Sequence, residues 1–149
     1  MSRWCDPDKW QSPSFRKLNP QQKLVHFYIN GVCNYAGFLE WDPDDCAFRT
    51  GMLKESCELA FDSLSDFYEK SGDWIFIRSF LSEQRNLPLN PTNNAHIKII
   101  RIITEMKDKF PDVYRELVLA TGADKIPEKK KYNKKNENVE RHGQRGLMR

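Results

Sequence analysis

Apolar positions recur along this chain in blocks, and the spacing within each block predicts its element. Leu24, Val25, Tyr28, Ile29 and Val32 repeat at steps of three and four, so they stripe one face of a helix. That helix has a clear start: Asn19 can cap it, Pro20 occupies the first helical position and Gln22 the third. Phe15 and Leu18 precede it as a staple or short turn, and Gly31 with Asn34-Tyr35-Ala36-Gly37 ends it. Phe38-Leu39-Glu40-Trp41 alternates as a short strand does. Asp42-Pro43-Asp44-Asp45 repeats the cap-plus-proline start, and Thr50-Gly51 stops the short helix that follows.

Leu53, Cys57, Ala60, Phe61, Leu64 and Phe67 form the most regular helical stripe in the chain. Phe67-Tyr68, a polar turn at Glu69-Lys70-Ser71-Gly72-Asp73, and Trp74-Ile75-Phe76-Ile77 then predict a hairpin with a strongly β-prone second strand. Phe61 and Trp74 are expected in the core. Phe80 and Leu81 continue the apolar run before a loop at Ser82-Glu83-Gln84. Asn90-Pro91 reads as a third helix start, leading into Ile97, Ile99, Ile100, Ile102, Ile103 and Met106. This stripe packs on the body or, being wide, meets a partner or a second copy, which leaves a homo-oligomer open. Pro111 opens a shorter helix with Val113, Tyr114, Leu117 and Val118, ended by Gly122.

The expected class is mainly α with a small antiparallel sheet: a winged helix-turn-helix at 1–86, a helical extension at 87–124 and a basic tail at 125–149. Helix, strand, two helices joined by a glycine turn, and a hairpin wing supply the order.

Charge sharpens this division. The whole chain carries +3. Residues 125–149 hold nine Lys and Arg against three Glu, a net of +6, so the remainder is slightly acidic at −3. A basic tail points to an anionic partner, nucleic acid first, and its few apolar residues give it little to bury. Lys129, Lys130, Lys131, Lys134 and Lys135, with Arg141 and Arg145, are its candidate phosphate contacts. In the body, Lys54, Lys70 at the wing tip and Arg78 are the candidates, with Arg16, Lys17 and Lys23 clustered near the first long helix.

No stretch of about 18 apolar residues suggests a membrane span. The opening Met1-Ser2-Arg3-Trp4-Cys5-Asp6-Pro7-Asp8 lacks a secretory signal's apolar segment. Cys5, Cys33, Cys46 and Cys57 are spaced apart, as in a cytoplasmic protein with reduced thiols. A zinc site drawn from Cys33, Cys46, Cys57 and His26 would lack the usual paired ligands. His26 and His96 fit packing or capping roles, and Asp42, Asp44 and Asp45 fit an acidic helix start. The chain shows no dinucleotide, P-loop, HExxH or GxSxG motif, so neither enzyme activity nor a cofactor is expected.

Taken in order, several segments resemble the N-terminal winged-helix domains of phage and prophage replication-initiation proteins, the replisome organisers. The resemblance covers about residues 10 to 100. It rests on Trp10, on Phe15-Arg16-Lys17-Leu18-Asn19-Pro20-Gln21-Gln22-Lys23-Leu24, and on Ala36-Gly37-Phe38-Leu39-Glu40. Phe48-Arg49-Thr50-Gly51, Gly72-Asp73-Trp74-Ile75-Phe76-Ile77-Arg78-Ser79-Phe80-Leu81 and Leu89-Asn90-Pro91-Thr92-Asn93-Asn94-Ala95-His96 complete it. It implies binding of a replication origin and recruitment of a helicase or helicase loader. One feature departs from a DNA-reading helix: Glu55, Glu58, Asp62 and Asp66 share the polar side of the third helix, where phosphates would repel them. A transcriptional regulator on the same fold, or a protein-interaction module with incidental DNA contact, are the alternatives.

Overall fold

In the computed structural model, residues 7–125 are described. The tail residues Lys129, Lys130, Lys131, Lys134, Lys135, Arg141 and Arg145 lie outside them, as does Cys5.

Local chemistry sets the helix starts. A 3-10 turn, Pro7–Gln11, leads to α1 (Pro13–Arg16), capped by Ser12. Helix α2 (Pro20–Val32) opens with a full capping box: the Gln22 N–H donates to Asn19 Oδ1 at 2.9 Å and the Asn19 N–H to Gln22 Oε1 at 2.8 Å. Gly31 lies inside this helix, which ends where Cys33 turns extended. Asp42 caps α3 (Pro43–Thr50) through the N–H groups of Asp44 and Asp45. Gly51 ends it in the left-handed conformation, and α4 (Lys54–Asp62) follows. The stripe expected to run as one helix to Phe67 divides here. Ser65–Phe67 is a separate 3-10 turn, and its tighter winding still leaves Leu64 buried and Phe67 half-buried.

Strands β1 (Phe38–Glu40), β2 (Tyr68–Ser71) and β3 (Trp74–Ile77) form an antiparallel sheet in the order β1-β3-β2. The expected five-residue turn is a correction: Glu69, Lys70 and Ser71 belong to β2, and only Gly72 and Asp73 bridge the strands. Their polarity reflects an edge strand, whose outer side meets water. Phe80–Glu83 forms a short helix, α5, which takes in Ser82 and Glu83 of the expected loop. Asn90-Pro91 does not start a helix either. The Asn90 side chain accepts from the N–H and hydroxyl of Thr92, closing a turn, and Asn93 caps α6 (Asn94–Glu105). Helix α7 (Pro111–Tyr114) runs into a π-helical turn, Arg115–Leu119, and Gly122 follows with positive φ.

The sheet is covered on both faces. Phe38 and Phe76 pair across β1 and β3 with ring centroids 4.9 Å apart, and Phe110 lies 5.2 Å from Phe38. On the opposite face, Trp41 stacks on Phe61 at 4.0 Å and Phe61 on Tyr68 at 6.1 Å. One continuous core takes in α2, α4, the sheet and the C-terminal helices. The wide apolar face of α6 is consumed by it: Ile99, Ile100, Ile103 and Met106 are buried, Ile97 and Ile102 half-buried. Phe61 is buried as expected, whereas Trp74 is only half-buried, because it ends the hairpin's strand beside the exposed turn. Gly37 is buried with φ +89°, and a Cβ there would approach Phe80 Cβ to 2.9 Å.

Two stability predictions follow from this packing. Phe110→Ala should cost about 3–5 kcal/mol, the usual range for a buried aromatic, although it lies far along the chain from the sheet it covers. Phe48→Ala, at a ring 87% exposed, should change stability by less than about 0.5 kcal/mol. Chemical denaturation compares them, and equal losses would refute the packing of Phe110 on the sheet. Gly37→Ala should cost about 2–4 kcal/mol, combining left-handed strain with overpacking. Gly51→Ala, with open space around its Cβ position, should cost only the strain, about 1–2 kcal/mol.

Candidate nucleic-acid interface

Lys54, Lys70 and Arg78, the cations expected around the hairpin and the third helix to meet phosphate, each have a carboxylate partner. Lys54 Nζ donates to Asp44 Oδ2 at 2.8 Å, joining the start of α4 to the start of α3 and raising the ammonium's pKa. Lys70 is not at the wing tip. It lies within β2 opposite Ile75, with Nζ 3.5 Å from Asp62 Oδ1 and 4.2 Å from the centre of the Phe61 ring. Arg78 Nε lies 3.2 Å from Glu69 Oε1 across the hairpin. These pairs are exposed, and such pairs typically contribute little to stability. Their effect is on the field: the three cations are neutralised where they stand. Near α2, Lys23 Nζ lies 5.7 Å from the Phe15 ring and 5.9 Å from that of Trp10, while Arg16 and Lys17 are exposed.

The acids of α3 are structural. Tyr28 donates its hydroxyl to Asp45 Oδ2 at 2.6 Å, and Arg49 Nε adds contacts to both carboxylate oxygens. The Tyr28 bond, then the Arg49 bond, hold the Asp45 carboxyl below the usual carboxylate range. Cys33, Cys46 and Cys57 are buried, and burial followed by the neighbouring Cys57 pushes the Cys46 thiol up to about 12. Cys46 is therefore a protonated, unreactive packing group at neutral pH. His96 accepts the N–H of Asn90 through Nδ1 at 3.0 Å, holding the loop before α6.

Beside α4 lies an open groove of about 640 Å³ between that helix and the β2–β3 hairpin. Trp41, Phe61 and Ile75 contribute its apolar surface, together with Leu59, which is 71% exposed. Glu55, Glu58, Asp62 and Asp73 supply four carboxylates against the single ammonium of Lys70. The helix that the resemblance would set against DNA, and whose acids speak against it, thus borders an acidic and apolar surface.

A polar seam lies deeper. Lys9 Nζ donates to Glu83 Oε2 at 2.8 Å and to His26 Nε2 at 3.0 Å. An ammonium only donates, so Nε2 is the acceptor and the ring proton sits on Nδ1, which donates to Tyr68 Oη at 2.8 Å. Ser79 Oγ completes the chain by donating to Glu83 Oε1 at 2.6 Å. His26 is 1% exposed, and burial, then the Lys9 charge, push its pKa down from 6.5 to about 3. Both ring nitrogens are engaged, so the imidazole is a structural node. Nothing in the sequence singled out Lys9, which pairs with partners 17 and 74 residues away.

Among the described residues, no helix is long and apolar enough to cross a membrane. No protein-family model matches the chain, and no curated protein or solved structure matches it.

The seam makes stability pH-dependent. Between pH 6.5 and about 3 the unfolded chain binds a proton at His26 that the folded chain excludes. This contribution is complete above pH 6.5 and declines on acidification by about 1.4 kcal/mol per pH unit. Denaturation of wild type and His26→Gln from about pH 6 to about pH 4 should show the extra slope in wild type only. Parallel profiles would show that His26 is not held neutral.

Proposed function

We propose that this chain is a winged-helix DNA-associated protein of the replication-initiator kind, which holds DNA through its basic tail and recruits a replication protein through its body. The observation that carries the fold part of this reading is element order. Helices α2, α3 and α4, with the tight Gly51 turn between the last two, precede a β2–β3 hairpin, and β1 adds the third strand. That order is what a winged helix-turn-helix requires. Residues of the segments that carry the replisome-organiser resemblance have structural roles here, which supports the reading: the Asn19 cap, the Gly37 approach to Phe80, the Gly51 stop and strand β3.

The DNA part follows from charge. Lys54, Lys70 and Arg78 each face a carboxylate, so they add little to the attraction of a phosphate lattice. Lys129, Lys130, Lys131, Lys134 and Lys135 supply the concentrated positive charge, which binds phosphates without reading bases. A helicase or helicase loader is the partner the resemblance suggests. The acidic, apolar groove beside α4 favours the second reading, a protein-interaction module, as a description of what the body itself does.

Salt titration of duplex binding tests the division of labour. If about five tail lysines meet phosphates, log K against log salt should fall with a slope of roughly −4.5. Replacing the five lysines with alanine should remove most of that slope. Replacing Lys54, Lys70 and Arg78 together should change affinity less than about threefold at physiological salt. The reverse ranking would place DNA on the body and overturn this reading.

A further inference from the structure

The groove beside α4 and the lysine-rich segment outside the described residues are chemical complements within one chain. The groove offers Glu55, Glu58, Asp62 and Asp73 around the apolar surface of Leu59 and Phe61. The segment 129–135 reads Lys-Lys-Lys-Tyr-Asn-Lys-Lys, five ammonium groups around one aromatic ring. Lys70 already demonstrates this recognition inside the groove, with its ammonium shared between the Asp62 carboxylate and the face of Phe61. A second lysine arriving there meets three carboxylates not engaged by Lys70, and Tyr132 meets a leucine that is mostly exposed.

We propose that, in the absence of DNA, residues 129–135 of the chain's own tail dock in the groove between α4 and the hairpin. The chain from Lys125 extends at most about 14 Å to Lys129 and about 35 Å to Lys135, against a radius of gyration of about 13 Å for a body of this size. Connection in one chain raises the effective concentration of the segment at the groove, so a weak contact suffices. The docking restrains the same lysines assigned above to DNA, and only this regulatory consequence rests on that assignment. DNA and groove then compete for one set of ammonium groups, and the recruited partner competes by displacing the tail.

Zero-length carbodiimide coupling on the full-length protein without DNA tests the contact. It joins ammonium to carboxylate only at contact distance, and the Lys54–Asp44 pair at 2.8 Å serves as an internal standard. In the monomeric product, the links from Lys129–Lys135 should concentrate on Glu55, Glu58, Asp62 and Asp73. Raising salt to about 0.5 M should reduce them about fivefold or more. Glu58→Lys, at an exposed position, should reduce the links to the three remaining groove carboxylates by a similar factor while the Lys54–Asp44 link persists. Leu59→Arg should do the same without removing any carboxylate.

Equal yields at Asp108, Asp112 and Glu116 would overturn the proposal, as would groove links insensitive to both variants. Links confined to covalent dimers would also overturn it, assigning the groove to a second copy's tail. Failure here leaves the salt slope of DNA binding unaffected, so the two readings fall separately.

Discussion

All four side chains of β3, Trp74-Ile75-Phe76-Ile77, are apolar, and a strand directs alternate side chains to opposite faces of its sheet. A strand of this kind is stable only if both faces are covered. Its neighbours are three and four residues long, so the ladder alone provides few hydrogen bonds, and small isolated sheets are marginal in water. The arrangement of the remaining elements answers this constraint. Tyr68 pairs with Ile77, and its ring stacks towards Phe61 of α4, covering one face. Phe38 and Phe110 cover Phe76 on the other, with centroids 4.9 and 6.4 Å away. The C-terminal helices are therefore part of what makes the hairpin persist, because Phe110 enters directly after α6 and before α7.

The polar seam and the groove are connected by the same packing. His26 stacks on Tyr68 at 6.0 Å, Tyr68 on Phe61 at 6.1 Å and Phe61 on Trp41 at 4.0 Å. A column of flat rings thus runs from the buried Lys9–His26 contact to the wall of the groove. Its first member must stay neutral, since a charged imidazole there would lose hydration and face the Lys9 ammonium. Lys9 also fixes Glu83 of α5, so the Pro7–Gln11 turn is tied to α2 and α5, and to β2 through His26. The groove has a firm wall because that column cannot shift without exposing or unpairing its polar end.

What could be read from the sequence depended on how local the cause was. The Asn19 capping box, the Asp42 cap and the Gly51 stop act within a few residues, and the structure has them where the sequence puts them. The α6 stripe was equally legible, but the neighbour that takes up its width was not, because that neighbour lies elsewhere in the chain. Asn90-Pro91 has the residues of a helix start, yet Asn90 bonds to Thr92, and Asn93 takes the cap. Lys70 was misplaced because edge-strand polarity resembles a turn. Once the two-residue turn at Gly72-Asp73 is known, the register sets Lys70 opposite Ile75 and brings Arg78 near Glu69. The Lys54–Asp44 and Lys9 contacts, like the covering of α6, required the fold itself.

The charge pattern has a single physical consequence that joins these observations. A net of +3 suggests a uniformly basic protein, but the sign is divided: a slightly acidic body and a tail at +6. At physiological salt the Debye length is about 8 Å, so opposite charges on the two parts act only when they are close. Within that range Lys54, Lys70 and Arg78 are already matched by Asp44, Asp62 and Glu69. In the groove beside α4, Glu55, Glu58 and Asp73 are not engaged by Lys70, and the exposed Leu59 lies among them. Phosphate is repelled there, whereas a lysine-rich segment with an aromatic ring gains from both components of the surface. The same charges that oppose phosphate along α4 favour a basic polypeptide there, and this chain carries such a segment at 129–135.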